Sequence, residues 1–176
     1  MRKQAKFVAV LSAAALLAVG ASMTAFAATP HWDMEDGEWV YLDRNGDRVT
    51  DVWKKSNGQW YYLDSDGYMA KDMVIEDDND AYYVGSDGAR VTNAWVSMDN
   101  DDRLDDDEEP ESIDTVWMFF DGSGKAIGFG ENNEVVKKLS YGDGQSAYFM
   151  FNTDGYMLSG WKDRNGDLYY LVDQNE

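Results

Sequence analysis

Three series of residues recur at a spacing of 21 in a single register: Gly46, Gly67 and Gly88; Trp32, Trp53, Val74 and Trp95; Tyr41, Tyr62 and Tyr83. A fixed period of this length marks a repeat architecture, in which a small supersecondary unit cannot bury its own apolar face and stacks on its neighbours. The aromatic content points the same way. Seven Trp, eleven Tyr and seven Phe are far more than a charged disordered chain carries, and they fall in register.

The clearest unit runs from Val52 to Lys71. It opens at Trp53, passes a polar turn at Ser56-Asn57-Gly58 and enters Gln59-Trp60-Tyr61-Tyr62-Leu63-Asp64. That run is rich in strand formers and bounded by turn signals, so it reads as a β-strand. Asp64-Ser65-Asp66-Gly67 reads as a turn, with the Asp side chain accepting backbone N–H groups and Gly supplying a left-handed residue; Tyr68-Met69-Ala70 is the returning strand. Related runs precede Gly46, Gly88, Gly124 and Gly155, and a last unit carries Leu168-Tyr169-Tyr170-Leu171. A lone hairpin is marginal in water, so six in series imply an all-β solenoid of stacked β-hairpin repeats of about 21 residues. Two stretches break the period, an acidic insertion at 99–111 and a second insertion at 129–146. The acidic one reads as a solvated loop. Val135-Val136-Lys137-Lys138-Leu139 in the other fits a short strand or a helical turn equally well.

Residues 1–27 have the layout of an export signal: Arg2, Lys3 and Lys6, an apolar stretch from Phe7 to about Val19, and a small-residue exit at Ala25-Phe26-Ala27. The apolar stretch is shorter than the roughly 18 residues of a spanning helix. Cleavage after Ala27 leaves residues 28–176 as one repeat domain, secreted and associated with the cell surface or wall. That segment holds 12 basic and 34 acidic residues, a net charge of −22. Such a field opposes nucleic acid and favours cationic partners. There is no cysteine, so no disulfide or thiolate metal site forms, and His31 is the single histidine. No cofactor and no metal is expected, and a His-based catalytic triad has too few parts. Asp43-Arg44-Asn45-Gly46-Asp47 and Asp163-Arg164-Asn165-Gly166-Asp167 resemble the start of calcium loops, but a turn accounts for them and the glycine spacing is wrong for an EF-hand.

The pattern Trp-x4-Gly-x-Trp-Tyr-Tyr-Leu-Asp-x2-Gly-x-Met, from Trp53 to Met69, resembles the cell-wall-binding repeat of the choline-binding and glucan-binding families of Gram-positive bacteria. The resemblance implies a left-handed solenoid of hairpins and non-catalytic binding of choline-bearing teichoic acid or glucan. It places ligand aromatics at Trp53, Trp60 and Tyr82, and one unit earlier at Trp32, Trp39 and Tyr61. The chemistry is sound on its own terms, because a quaternary ammonium has no hydrogen to donate and is held by aromatic faces. Strand alternation puts Trp60 and Tyr62 on one face, Tyr61 and Leu63 on the other. Val74 and Ala81 replace both tryptophans of the third unit, Leu168 replaces one in the sixth, and the acidic insertion separates Trp95 from Trp117. Two alternatives stay open at this level. The aromatics also read as filling between hairpins, and the module as a protein-binding or structural surface that presents its acidic loop to a partner.

Overall fold

A computed structural model describes residues 29–99, 115–142, 144–164 and 167–171, the last stretch from residue 160 as backbone alone. The expected export segment, 1–27, and all of the acidic stretch except Asp99 lie outside the described residues. Twelve strands follow in chain order: β1 (His31–Glu35), β2 (Glu38–Leu42), β3 (Val52–Ser56), β4 (Gln59–Leu63), β5 (Met73–Asp77), β6 (Asp80–Val84), β7 (Ala94–Asp99), β8 (Thr115–Phe120), β9 (Val135–Tyr141), β10 (Gln145–Phe151), β11 (Gly160–Arg164) and β12 (Asp167–Leu171). Among the described residues each pairs with its sequence neighbour alone, giving six two-stranded sheets. The fold is the expected all-β stack of hairpins.

The hairpins close at a different turn from the one expected. In β3/β4, Ser56 pairs with Gln59 and Val52 with Leu63, so the ladder folds about Asn57-Gly58 rather than Asp64–Gly67. Asn57 and Gly58 both have positive φ, 49° and 86°, and Asp36 and Gly37 repeat the feature at 54° and 90°. Two left-handed residues make the turn whose twist matches that of the flanking strands. Asp64-x-x-Gly67 instead makes a tight reversal into a connector that touches β4 at one bridge, Leu63 to Met69. The turn chemistry itself is as expected: the Asp64 carboxylate accepts the N–H groups of Asp66 (3.0 Å) and Tyr68 (2.9 Å), and Gly67 sits at φ 80°. Asp43, Asp121 and Asn152 act in the same way in their own turns. Where Gly85 occupies the Asp position, the carboxylate of Asp87 accepts the Ala89 N–H instead. The Asp43 carboxylate thus accepts the N–H groups of Asn45 (2.7 Å) and Asp47 (3.0 Å).

Within the 129–146 stretch, residues 135–141 form a strand. Val135–Tyr141 pairs along its full length with β10, Val135 opposite Phe151 and Tyr141 opposite Gln145, and so forms the first half of the fifth hairpin. Two adjacent lysines broke the alternation that would have revealed it.

The chain divides into two compact units. One comprises described residues 29–75 with Tyr83–Val91; the other comprises Glu76–Tyr82 and the described residues from Thr92 onward. In the first, Tyr61, Leu63, Met69 and Ala89 form a buried cluster with Trp32, Trp39, Tyr41, Val49 and Val52 packed on it. A second cluster, Ala70, Ile75 and Val84, takes Trp53 and Tyr62. The later unit buries Trp117, Met118, Phe120, Met150, Phe151 and Tyr156.

Two tests follow from the turns. Gly128 has φ +93°, and a Cβ there would lie 2.5 Å from the Asn152 carbonyl oxygen and 2.8 Å from Phe151 Cβ; at Gly58, φ +86°, nothing lies within 4 Å. Gly58→Ala is expected to cost only backbone strain, about 1–2 kcal/mol, and Gly128→Ala distinctly more, read from urea unfolding midpoints. Equal midpoints would show that the close approach at Gly128 is relieved elsewhere. The second concerns acid. Burial alone would raise the Asp121 carboxyl, but hydrogen bonds from the Ser123 hydroxyl and the N–H groups of Ser123, Lys125 and Gly124 hold it below the ordinary 3.8. A carboxyl lowered in the fold contributes stability that is present above the unfolded pKa, about 3.9, and lost as pH falls through the lowered folded value. Asp121→Asn keeps the acceptor, as Asn152 does, but not the charge. The variant should melt below wild type near neutral pH and converge with it as the pH falls below 3.8, the gap being measured by circular dichroism.

Candidate functional site

The strand register fixes which side chains share a face. In β1/β2, Trp32 lies opposite Tyr41 and Met34 opposite Trp39, so both indoles project to one side with Tyr41 between them. That face meets the second hairpin. The Trp32 ring contacts Tyr41 edge-on (centroids 5.4 Å apart) and Tyr61 likewise (5.6 Å). Trp32 and Trp39 are half-buried, and Tyr61 is 1% exposed. Burial pushes the Tyr61 phenol up, the negative charge of Asp87 adding to it. The structure thus brings Trp32 and Tyr61 into contact and packs Trp39 on the same cluster, with Tyr61 acting as core as well as wall.

Met69 completes this group, and the connector positions it. Its N–H donates to the Trp39 carbonyl oxygen (2.8 Å), and its side chain is buried beside Tyr61. The motif ended on Met69 without assigning it a role; the observation that places it is the hydrogen bond to the preceding hairpin, which no local pattern reveals. The Lys54 ammonium lies 4.9 Å from the Tyr41 ring centroid. Among the described residues no cation lies over Trp32 or Trp39.

Trp53 and Trp60 project from the opposite side of β3/β4, Trp53 opposite Tyr62 and Trp60 opposite Lys55. Trp53 packs edge-on against Tyr62 (5.1 Å) and rests on the Ala70–Ile75–Val84 cluster. Both indoles face a protein cation: the Arg90 guanidinium lies 5.5 Å from each ring, and Lys55 Nζ lies 5.6 Å from Trp60. Tyr82, the third residue expected here, lies on β6 in the other compact unit and is half-buried.

The later unit holds an indole pair that the acidic insertion made hard to read in sequence. Trp95 pairs with Phe119 and Ser97 with Trp117, the same offsets that place Trp53 and Trp60 on one face. Trp95 packs against Phe149 (4.7 Å, edge-on), Phe119 (5.2 Å) and Phe151 (5.8 Å, stacked), and its indole N–H donates to the Ser140 carbonyl oxygen (3.1 Å). Trp117 is 7% exposed. The Met157 N–H donates to the Trp117 carbonyl oxygen (2.8 Å), as Met69 does to Trp39. The missed signal was Phe149, which stands one residue after Tyr148 as Tyr61 stands after Trp60. Among the described residues no group of three or more His, Asp or Glu is placed to hold a metal ion.

Two-tryptophan faces on the first, second and fourth hairpins, each met by the connector of the next repeat, define a class of all-β stacked-hairpin protein with aromatic clusters between hairpins. Comparison with known proteins agrees. Residues 49–95 match the choline-binding repeat family. Among solved structures, CbpJ from Streptococcus pneumoniae TIGR4 is similar at 24% identity and a TM-score of 0.53, over 82% of this chain and 40% of that one. Choline binding protein F from Streptococcus pneumoniae is similar at 28% identity and a TM-score of 0.47, over 79% and 37%. The likeness to CbpJ shows the fold, and this chain spans about two fifths of the length of either protein. No curated protein sequence matches the chain.

The double duty of Tyr61 is testable. Tyr61→Ala removes a buried ring and should destabilise by about 3–5 kcal/mol, whereas Tyr61→Phe, which keeps the ring contact with Trp32, should stay close to wild type in thermal melts. A Tyr61→Ala chain as stable as wild type would remove the tyrosine from the core.

Proposed function

We propose that the chain binds a quaternary ammonium of the choline type, carried on a bacterial surface polymer, at the face formed by Trp32, Trp39 and Tyr61 with Met69 behind them. The observation that supports this most is two half-buried indoles on one hairpin face, beside Tyr61 and a thioether, with no cation over either indole among the described residues and Lys54 over the neighbouring Tyr41 ring. A quaternary ammonium is soft, apolar at its rim and unable to donate hydrogen bonds, so aromatic faces and a polarisable sulfur are what it requires. The choline-binding repeat matched at 49–95 supports the same chemistry, and the formal charge of −19 for the whole sequence draws cations toward the surface. Trp53 and Trp60 have the residue types for the same ligand class, with Arg90 as an added condition. The reading makes the protein a non-catalytic, cell-wall-associated binding module. The alternative, a protein-binding surface led by the acidic loop, draws on a segment that lies almost wholly outside the described residues.

The test is retention on purified choline-bearing cell walls, followed by elution with free choline or with glucan oligomers. Elution by choline alone is expected. Trp39→Phe, which keeps a ring on the core cluster, should weaken choline binding by at most the worth of one aromatic face, about 2- to 30-fold at about 0.5–2 kcal/mol, measured beside its melting transition. A chain that is folded yet not retained on such walls would end the choline reading, and elution by glucan alone would reassign the site to sugar stacking.

A further inference from the structure

One backbone hydrogen bond recurs through the stack. The N–H groups of Met69, Arg90, Ala126 and Met157 donate to the carbonyl oxygens of Trp39, Trp60, Ala81 and Trp117, each at 2.8 Å. These four residues therefore hold one structural position, the point where the connector of one repeat lies against the second tryptophan position of the hairpin before it. Met69 places a neutral thioether beside the Trp32/Trp39 face, and Met157 holds the equivalent backbone position at Trp117. Ala126 stands where the tryptophans are replaced by Val74 and Ala81. Arg90 puts a permanent positive charge beside a complete indole pair.

We propose that Arg90 is the specificity-determining residue of the Trp53/Trp60 face: its guanidinium takes the cation position over the two indoles and closes that face to a quaternary ammonium. The proposal rests on the cation-binding reading above and says which of the repeated faces is open. The geometry is direct. The Arg90 guanidinium carbon is 5.5 Å from both ring centroids, inside the ~6 Å reach of a cation–π contact. A ligand ammonium over the same indoles would have to displace it or lie against a like charge. Lys55, 5.6 Å from the Trp60 ring, adds a second positive charge to the same indole. Guanidinium is planar and stacks well on aromatic faces. Being part of the chain, it cannot be diluted away.

Choline binding to the full chain, measured by isothermal titration calorimetry, decides the matter. Arg90→Met copies the residue at 69 and 157 and should bind one more choline per chain than wild type. Arg90→Gln, neutral and of similar length, should gain the same site and covers the case in which the methionine variant fails to fold. The gained site should disappear again in Arg90→Gln/Trp53→Leu. If wild type binds choline and both single variants bind the same number, the inference is overturned while the choline reading stands. If no form of the chain binds choline, the choline reading falls and takes the inference with it. A readout on the unmodified chain needs no variant: Arg90 side-chain proton resonances should be shifted upfield by the two indole ring currents, and resonances at ordinary arginine positions would overturn the proposal.

Discussion

The stack depends on one bond made once per repeat, from the N–H of the residue two past the turn glycine to a carbonyl oxygen on the preceding hairpin. Each sheet has only two strands, and a free two-stranded hairpin is marginal in water. The bond does more than add stability. It fixes the height of the connector against the previous hairpin, and at 69 and 90 the side chain that follows stands beside an indole face. The Asp-x-x-Gly reversal exists to aim it: two N–H groups tied to one carboxylate, and a left-handed glycine, leave the following residues one direction to take.

Much of this was legible in the sequence. The 21-residue register gave the number of hairpins, the run from Gln59 to Leu63 gave a strand with its correct two faces, and the Asp64 and Gly67 turn chemistry was as expected. What could not be read was which turn closes the ladder. Asn57-Gly58 and Asp64–Gly67 both carry strong turn residues, and local chemistry does not say that one joins two strands while the other sends the chain to a neighbour. The Val135–Tyr141 strand escaped for a different reason, because Lys137 and Lys138 blur the alternation and only its partner β10 makes it a strand. The placement of the candidate site was half visible. Trp32, Trp39 and Tyr61 do gather on one cluster, but the side chains that qualify each face, Met69 and Arg90, come from the connector of the next repeat.

The aromatic faces serve two ends. Trp32 packs on Tyr41 and Tyr61, Trp53 on Tyr62, and Trp95 on three phenylalanine rings. Edge-to-face pairs of this kind add stability beyond the area they bury. The rings that would hold a ligand therefore also hold neighbouring hairpins together, and a loss of ligand binding in a tryptophan variant means something only beside a measurement of its fold.

The fourth hairpin shows where this architecture tolerates added sequence. β7 ends at Asp99, β8 begins at Thr115, and the two residues still pair with each other, although residues 100–114 stand where Asn57-Gly58 suffices in the second hairpin. Closing a longer loop costs entropy that grows only with the logarithm of its length. The tip of a hairpin is thus a graft point: a segment of quite different composition can be carried there while the aromatic offsets at its base remain those of the ungrafted repeat.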